Sequence, residues 1–202
     1  EFFGESGASL QYKDEDKRQP SAFDDINGGF FIGQGAVLAI FERERPSMDA
    51  PIAKFLGAYS SAEDNSNPLG QRDDGSGFSK AIEGALFVAK TDKSSVNLVK
   101  THGSGTPVNN VAEKSALTRS LDDFIATSYK QRIGHTMEAS GLLETGLLLE
   151  TTKNNFVPKI PNRTSNDDVF LSHDAISPSG NILSLAAGMG NIYSAAIFSV
   201  EV

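Results

Sequence analysis

The stretch at residues 128–150, SYKQRIGHTMEASGLLETGLLLE, restricts the possible folds more than any other part of the chain. It opens polar and basic, passes through Gly134-His135, and continues as a run of Gly, Ala and Leu. The pattern predicts a helix from Thr136 to about Glu150. Leu142, Leu143, Leu147, Leu148 and Leu149 cover much of its circumference, with Ala139, Ser140, Gly141 and Gly146 between them. A helix that is apolar on several faces has to be covered on several faces, so it belongs inside a layered domain. Glu138, Glu144 and Glu150 are expected along one edge or toward an interface. Leaving these leucines exposed would forfeit roughly 1.5–3 kcal/mol each, so the isolated chain is not expected to be a stable monomer. His135 then stands at the N-terminus of a buried helix. The field there disfavours a protonated imidazole and supports negative charge on a nearby ligand. Such a place suits chemistry on an acyl or other anionic group.

The rest of the chain alternates strands and helices around this segment. Residues 30–41 (FFIGQGAVLAIF) read as a strand, with Gly33 and Gly35 marking a bend or a close backbone approach. Residues 52–60 form a second strand, followed by a long polar loop through Asn67-Pro68 and Asp73-Asp74-Gly75. Phe78, Ile82, Ala85, Leu86 and Ala89 recur at helical spacing, predicting an amphipathic helix over 78–90. A short strand at 96–100, a helix at 111–121 and a strand at 125–128 lead into the apolar helix. Residues 169–172 add a short edge strand, and 182–187 with 192–200 form a hairpin across Gly188-Met189-Gly190-Asn191. Such an alternation describes an α/β layered domain with a mixed sheet. No internal repeat or interdomain linker interrupts residues 1–202, of which 1–19 read as a polar connecting segment.

Composition excludes several classes of function. The net charge of -8, without a Lys/Arg cluster, argues against non-specific nucleic-acid binding. There is no cysteine, so the chain has no disulfide, thiolate metal site or thiol nucleophile of its own. No apolar run is long enough for a membrane span, and EFFGESG lacks the basic start and apolar core of a signal peptide. The carboxylate pairs Asp24-Asp25, Asp73-Asp74, Asp122-Asp123 and Asp167-Asp168 read as solvated loop charge, as does the run at 13–18.

Three histidines remain. His173, between Ser172 and Asp174, is expected on the surface. His102 and His135 each follow a predicted strand end in a glycine-rich context, and Lys130 lies five residues before His135. Strand ends that face one crevice are the usual active-site edge of an α/β sheet. Their ring centres are therefore expected within about 8 Å, close enough to share one carbonyl through ordinary hydrogen bonds. A metal pair at His102 and His135 stays open on spacing alone, but no neighbouring acid or cysteine completes a familiar ligand set. The loop after His102 has neither the P-loop nor the dinucleotide-binding glycine spacing.

Four segments, in order, carry a family resemblance. His102-Gly103-Ser104-Gly105-Thr106-Pro107 resembles the HGTGTP loop of the β-ketoacyl synthases of fatty-acid and polyketide synthesis. Lys130 with Gly134-His135 and Glu138-Ala139-Ser140-Gly141 resembles that family's Lys and GHxxGAxG segment. Phe23-Asp24 through Gly33-Gln34-Gly35 is similar to its PFD…GEG stretch, and Gly188-Met189-Gly190 to its GFG loop. The resemblance implies a thiolase-like layered fold, of which this chain is the C-terminal half, with a mixed five-stranded sheet and a buried helix. It also implies decarboxylative Claisen condensation of an acyl thioester with malonyl carrier protein. His102 and His135 would hold the thioester carbonyl, Lys130 would organise them electrostatically, and Gly188, Met189 and Gly190 would shape an oxyanion and gating loop. The nucleophilic cysteine would come from an N-terminal part, without which the chain would be inactive.

Departures from the family pattern are Gln34 for Glu, Ser104 for Thr, Met189 for Phe, Glu138 for a small residue, and Asn191-Ile192-Tyr193 for Gly-Thr-Asn. Implied partners are an acyl carrier protein or acyl-CoA thioester, the cysteine-bearing part of the fold, and a second synthase unit in a dimer. Arg132, Lys130 and Lys159 are candidate contacts for an acidic carrier, with Lys130 expected to face the site instead. No cofactor is implied, and a cytoplasmic location is expected. A chain-length-factor-like partner subunit without catalysis is the alternative. The joint presence of His102, His135 and Lys130 argues against it.

Overall fold

A computed structural model describes residues 9–10, 19–43, 51–67, 70–165 and 169–200. The charged run at 13–18 and Asp167-Asp168 fall outside that set, as does most of the polar segment at 1–19. Five strands make one mixed sheet: β1 (Lys54–Ala62), β2 (Val96–Lys100), β3 (Ile125–Thr127), β4 (Asn181–Gly188) and β5 (Ile192–Ser199). Their spatial order is β1-β5-β4-β2-β3. The hairpin β4–β5 and the pair β1–β5 are antiparallel, whereas β2 lies parallel to both β3 and β4. Among the described residues the α-helices are α1 (Ser76–Ala89), α2 (Pro107–Ser120), the single turn α3 (Lys130–Ile133) and α4 (Ser140–Lys153). This is the mixed five-stranded α/β sheet that the family resemblance implies.

Side-chain alternation along the strands builds two cores. Val99, Leu183, Leu185, Tyr193 and Ile197 point toward α1 and α2, where Phe78, Ile82, Ala116 and Leu117 meet them. Leu98, Ile182 and Phe198 point the other way, onto Leu148 and Leu149 of α4. The sheet is therefore the middle layer, and Lys100, two residues after Leu98, faces the α4 side.

Two expectations are corrected. Residues 30–41 are not a strand: their one ladder contact is an isolated parallel bridge between Ile32 and His135. The apolar alternation is there, but no neighbouring strand among the described residues completes a ladder, and Leu38 and Ile40 are 88% and 81% exposed. Residues 169–172 likewise supply a single bridge, Ala126 to Phe170, rather than an edge strand.

The helix after His135 also departs from its expected form. It begins at Ser140, after a short 3-10 turn at Met137–Ala139. Its buried stripe is Ser140, Glu144, Thr145, Leu148, Leu149 and Thr152, while Leu142 is exposed and Leu143 and Leu147 are half-buried. Glu138 and Glu150 are exposed, but Glu144 is fully buried rather than on an edge.

Candidate active site

The parallel neighbours β2 and β3 deliver the two histidines to the same end of the sheet. β2 ends at Lys100 and runs through Thr101 to His102; β3 ends at Thr127 and leads through α3 to His135. The imidazole centres are 5.9 Å apart with their planes at 75°, inside the expected limit.

Each histidine is held by the backbone around it. Glu113 of α2 reaches back and accepts the amide N–H groups of His102 and Gly103, the second at 2.9 Å, and the Asn109 side chain at 2.8 Å. Ser128 Oγ and Gln131 Nε2 donate to the Gly103 carbonyl. Gly105 closes the loop with φ of 76°, where a Cβ would overlap the Ser21 carbonyl. His135 donates its amide to the Phe31 carbonyl at 2.7 Å, and its own carbonyl accepts from Gly33 at 3.0 Å. That exchange brings Gly33 and Gly134 backbone to backbone; a Cβ on Gly134 would lie 2.6 Å from the Gly33 Cα. The sequence reading of Gly33 as a close approach is met here, although the segment is not a strand. Phe30 packs edge-on against the His135 ring at 4.9 Å.

The same ring nitrogen is occupied in both histidines. The Ala187 N–H donates to His102 Nδ1, and the Met137 N–H donates to His135 Nδ1, each at 3.1 Å. A nitrogen that accepts a backbone N–H cannot itself carry the proton, so the neutral ring must carry it on Nε2. Burial pushes the His102 imidazole well below its usual range, with Lys130, His135 and Lys100 adding to the effect. Burial and then the Lys130 charge bring His135 down to about 4. At neutral pH both are therefore uncharged and each offers one Nε2–H.

Beneath them lies a buried ionic cluster. Lys130 Nζ sits 2.7 Å from Glu144 Oε1, which also accepts from Ser140 Oγ at 2.6 Å. Lys100 Nζ lies 3.6 Å from Glu144 Oε2 and donates to the Leu185 carbonyl. Lys100 and Glu144 are fully buried, and Lys130 is 1% exposed. Burial lowers Lys100 to about 8, with Glu144 opposing and Lys130 reinforcing the shift. Burial pushes Glu144 upward, but the two lysines outweigh it and its carboxyl stays below the usual range.

Sequence reasoning missed Lys100, Glu113 and Glu144. Strand parity with Leu98 and the four-residue spacing of Ser140, Glu144 and Leu148 are the signals that place Lys100 and Glu144 inward. Gly188 ends β4 and Met189 and Gly190 open the hairpin turn, all three exposed and directly after the Ala187 amide that contacts His102; Met189 is 59% exposed. His173 is exposed. Arg132 and Lys159 are exposed and adjacent, Arg132 donating to the Lys159 carbonyl at 3.0 Å, whereas Lys130 is withdrawn from the surface. No group of three or more His, Cys, Asp or Glu among the described residues could hold a metal ion. Among the same residues no helix is long and apolar enough to cross a membrane.

The chain is 26% identical over 201 residues to the granaticin polyketide putative beta-ketoacyl synthase 1 of Streptomyces violaceoruber, covering 94% of this chain and 48% of that protein. It is 27% identical over 163 residues to the 3-oxoacyl-[acyl-carrier-protein] synthase 2 of Vibrio harveyi, covering 77% and 39% respectively. The crystal structure of a beta-ketoacyl synthase from Burkholderia phymatum STM815 superposes with a TM-score of 0.87 at 25% identity, over 100% of this chain and 51% of that one. The chain thus spans about half the length of the relatives it matches, and its sheet and helices are those of a thiolase-like ketosynthase. The family described as Beta-ketoacyl synthase, C-terminal domain, matches residues 52–164, more than half of the chain. The chain belongs to the β-ketoacyl synthase family, whose C-terminal domain it carries.

Proposed function

We propose that this chain supplies the decarboxylation half of a condensing active site, completed by a part of the fold that carries a cysteine nucleophile. The acyl group is held as a thioester on that cysteine. A malonyl thioester loses carbon dioxide, its C–C bond electrons form an enolate, and the enolate carbon attacks the acyl carbonyl. The cysteine thiolate leaves and a β-ketoacyl thioester remains. The observation that carries the reading is the pair of Nδ1-capped, neutral imidazoles 5.9 Å apart. Two Nε2–H donors fixed beforehand stabilise negative charge developing on one thioester oxygen without reorganising. Lys130, paired with Glu144, keeps positive charge close to the rings without touching the surface. The Gly188-Met189-Gly190 turn acts as an oxyanion and gating loop over the acyl pocket.

The partners follow from the same reading. An acyl carrier protein or an acyl-CoA thioester brings the substrates. The adjacent exposed Arg132 and Lys159 are the basic contacts for an acidic carrier. The exposed alternation at 30–41 and the outer leucines of α4 are covered by the remainder of the fold, and complete synthase units pair as dimers in the cytoplasm. Co-expression with a cysteine-bearing N-terminal part, followed by mass spectrometry of the carrier-bound product, tests this reading. A β-ketoacyl product is expected. An assembled complex that binds a separate active synthase, but makes no product itself, would instead identify a chain-length-factor-like subunit.

A further inference from the structure

Glu144 is one carboxylate between two buried ammonium groups, and only Lys130 is needed to neutralise it. Lys100 is the surplus cation. It lies two residues before His102 on β2, fully buried, with its Nζ on the Leu185 carbonyl and 3.6 Å from Glu144 Oε2. Glu144 Oε2 has no hydrogen-bond partner, so it is not saturated by its neighbours. The other buried acid nearby, Glu113, lies toward α2 and holds the His102 and Gly103 amides and the Asn109 side chain. An ammonium with one good acceptor in a dry site costs stability rather than adding to it. Its placement therefore calls for a reason other than holding the fold.

We propose that Lys100 is a positioning residue for the histidine pair: with Lys130 it sets two buried ammonium groups on the single carboxylate of Glu144, and this excess positive charge next to His102 and His135 disfavours their protonation and favours an anionic reacting group. The groups facing Lys100 are Glu144 from α4, Lys130 from α3, Glu113 from α2, and the two histidines. Both imidazoles feel Lys100 in the same sense, downward, in addition to burial and Lys130. Burial lowers the proton affinity of Lys100 itself, and the neighbouring Lys130 charge reinforces the shift. The inference rests on the condensing role proposed for the histidines. Its electrostatic part can nevertheless be measured whether or not condensation occurs.

The test uses the assembled protein with isotope-labelled histidine and lysine. In Lys100→Met the His135 titration midpoint should rise by roughly half a unit to one unit, and the acid limb of any decarboxylation activity should move up with it. Activity at neutral pH should fall about tenfold, while the melting temperature is unchanged or higher. Lys100→Gln, which can still donate to the Leu185 carbonyl, should reproduce the histidine shift and replaces the Met variant if that does not fold. In the unsubstituted protein, deprotonation of Lys100 should produce a second inflection in the His135 ring nitrogen signal. Unmoved histidine midpoints in a folded neutral variant, or a Lys100 titration without that inflection, would overturn the proposal. Shifted midpoints with no condensation by the unsubstituted assembly would leave Lys100 as proposed and refute only the condensing role.

Discussion

Glu144→Gln removes one negative charge and almost no volume from the centre of the ionic cluster. Lys130 Nζ loses a carboxylate partner at 2.7 Å and Lys100 Nζ one at 3.6 Å, both at 1% exposure or less. Two cations are then buried with no anion between them. Removing one partner of a buried ion pair costs about 3–5 kcal/mol. The Gln carbonyl can still accept from Lys130, so the loss should lie near about 3 kcal/mol. Urea denaturation of the assembled protein at neutral pH reads this as a lower midpoint at unchanged slope. Adding Lys100→Met removes one of the two repelling charges and should restore part of the loss, a coupling of roughly 0.5–3 kcal/mol. Raising the pH past about 8, where Lys100 deprotonates, should also narrow the deficit. A loss below about 1 kcal/mol, independent of pH, would mean that the three charges do not coexist in a dry site.

Gly105→Ala forces a Cβ into the Ser21 carbonyl at a positive φ of 76°. It should cost about 1–3 kcal/mol, read in the same denaturation assay, and should displace the loop that carries His102. Histidine NMR should find His135 titrating near 4 rather than at its ordinary value. The unfolded chain binds that proton more readily, so stability is complete above about 6.5 and falls by roughly 2–3 kcal/mol as pH drops through the folded midpoint. The isolated chain exposes Leu38 and Ile40 almost fully, and Leu142 in part. Sedimentation should therefore find it associating, and a sharp reversible melt of a dilute monomer would count against that expectation.

The meeting of His102 and His135 was legible because each follows a strand, and adjacent parallel strands deliver their ends to one edge. The β4–β5 hairpin was legible from its apolar runs and glycine turn. Residues 30–41 misled for a physical reason: period-two alternation signals a strand only where a partner supplies the ladder, and among the described residues none does. The α4 helix misled through composition. Its leucines invited a buried apolar face, yet the stripe against the sheet is largely Ser140, Glu144, Thr145 and Thr152. Two of these polar groups meet partners distant in sequence, Ser184 for Thr145 and Lys130 for Glu144. No local pattern announces such pairings, so the ionic cluster emerged only with the tertiary structure. The Nδ1 contacts that set the histidine tautomers depend on backbone amides at Met137 and Ala187, and those likewise have no signature in residue type.

The central claim is that two neutral Nε2–H donors stabilise enolate charge, and release of labelled carbon dioxide from radiolabelled malonyl carrier protein tests it most directly. The assay compares the assembled protein with its His135→Ala variant and follows acyl loading of the cysteine separately. Losing one such donor should slow carbon dioxide release about 100- to 1,000-fold while loading stays largely intact. Undiminished release would contradict the role given to His135, and equal loss of both steps would reduce His135 to a structural support of the loop.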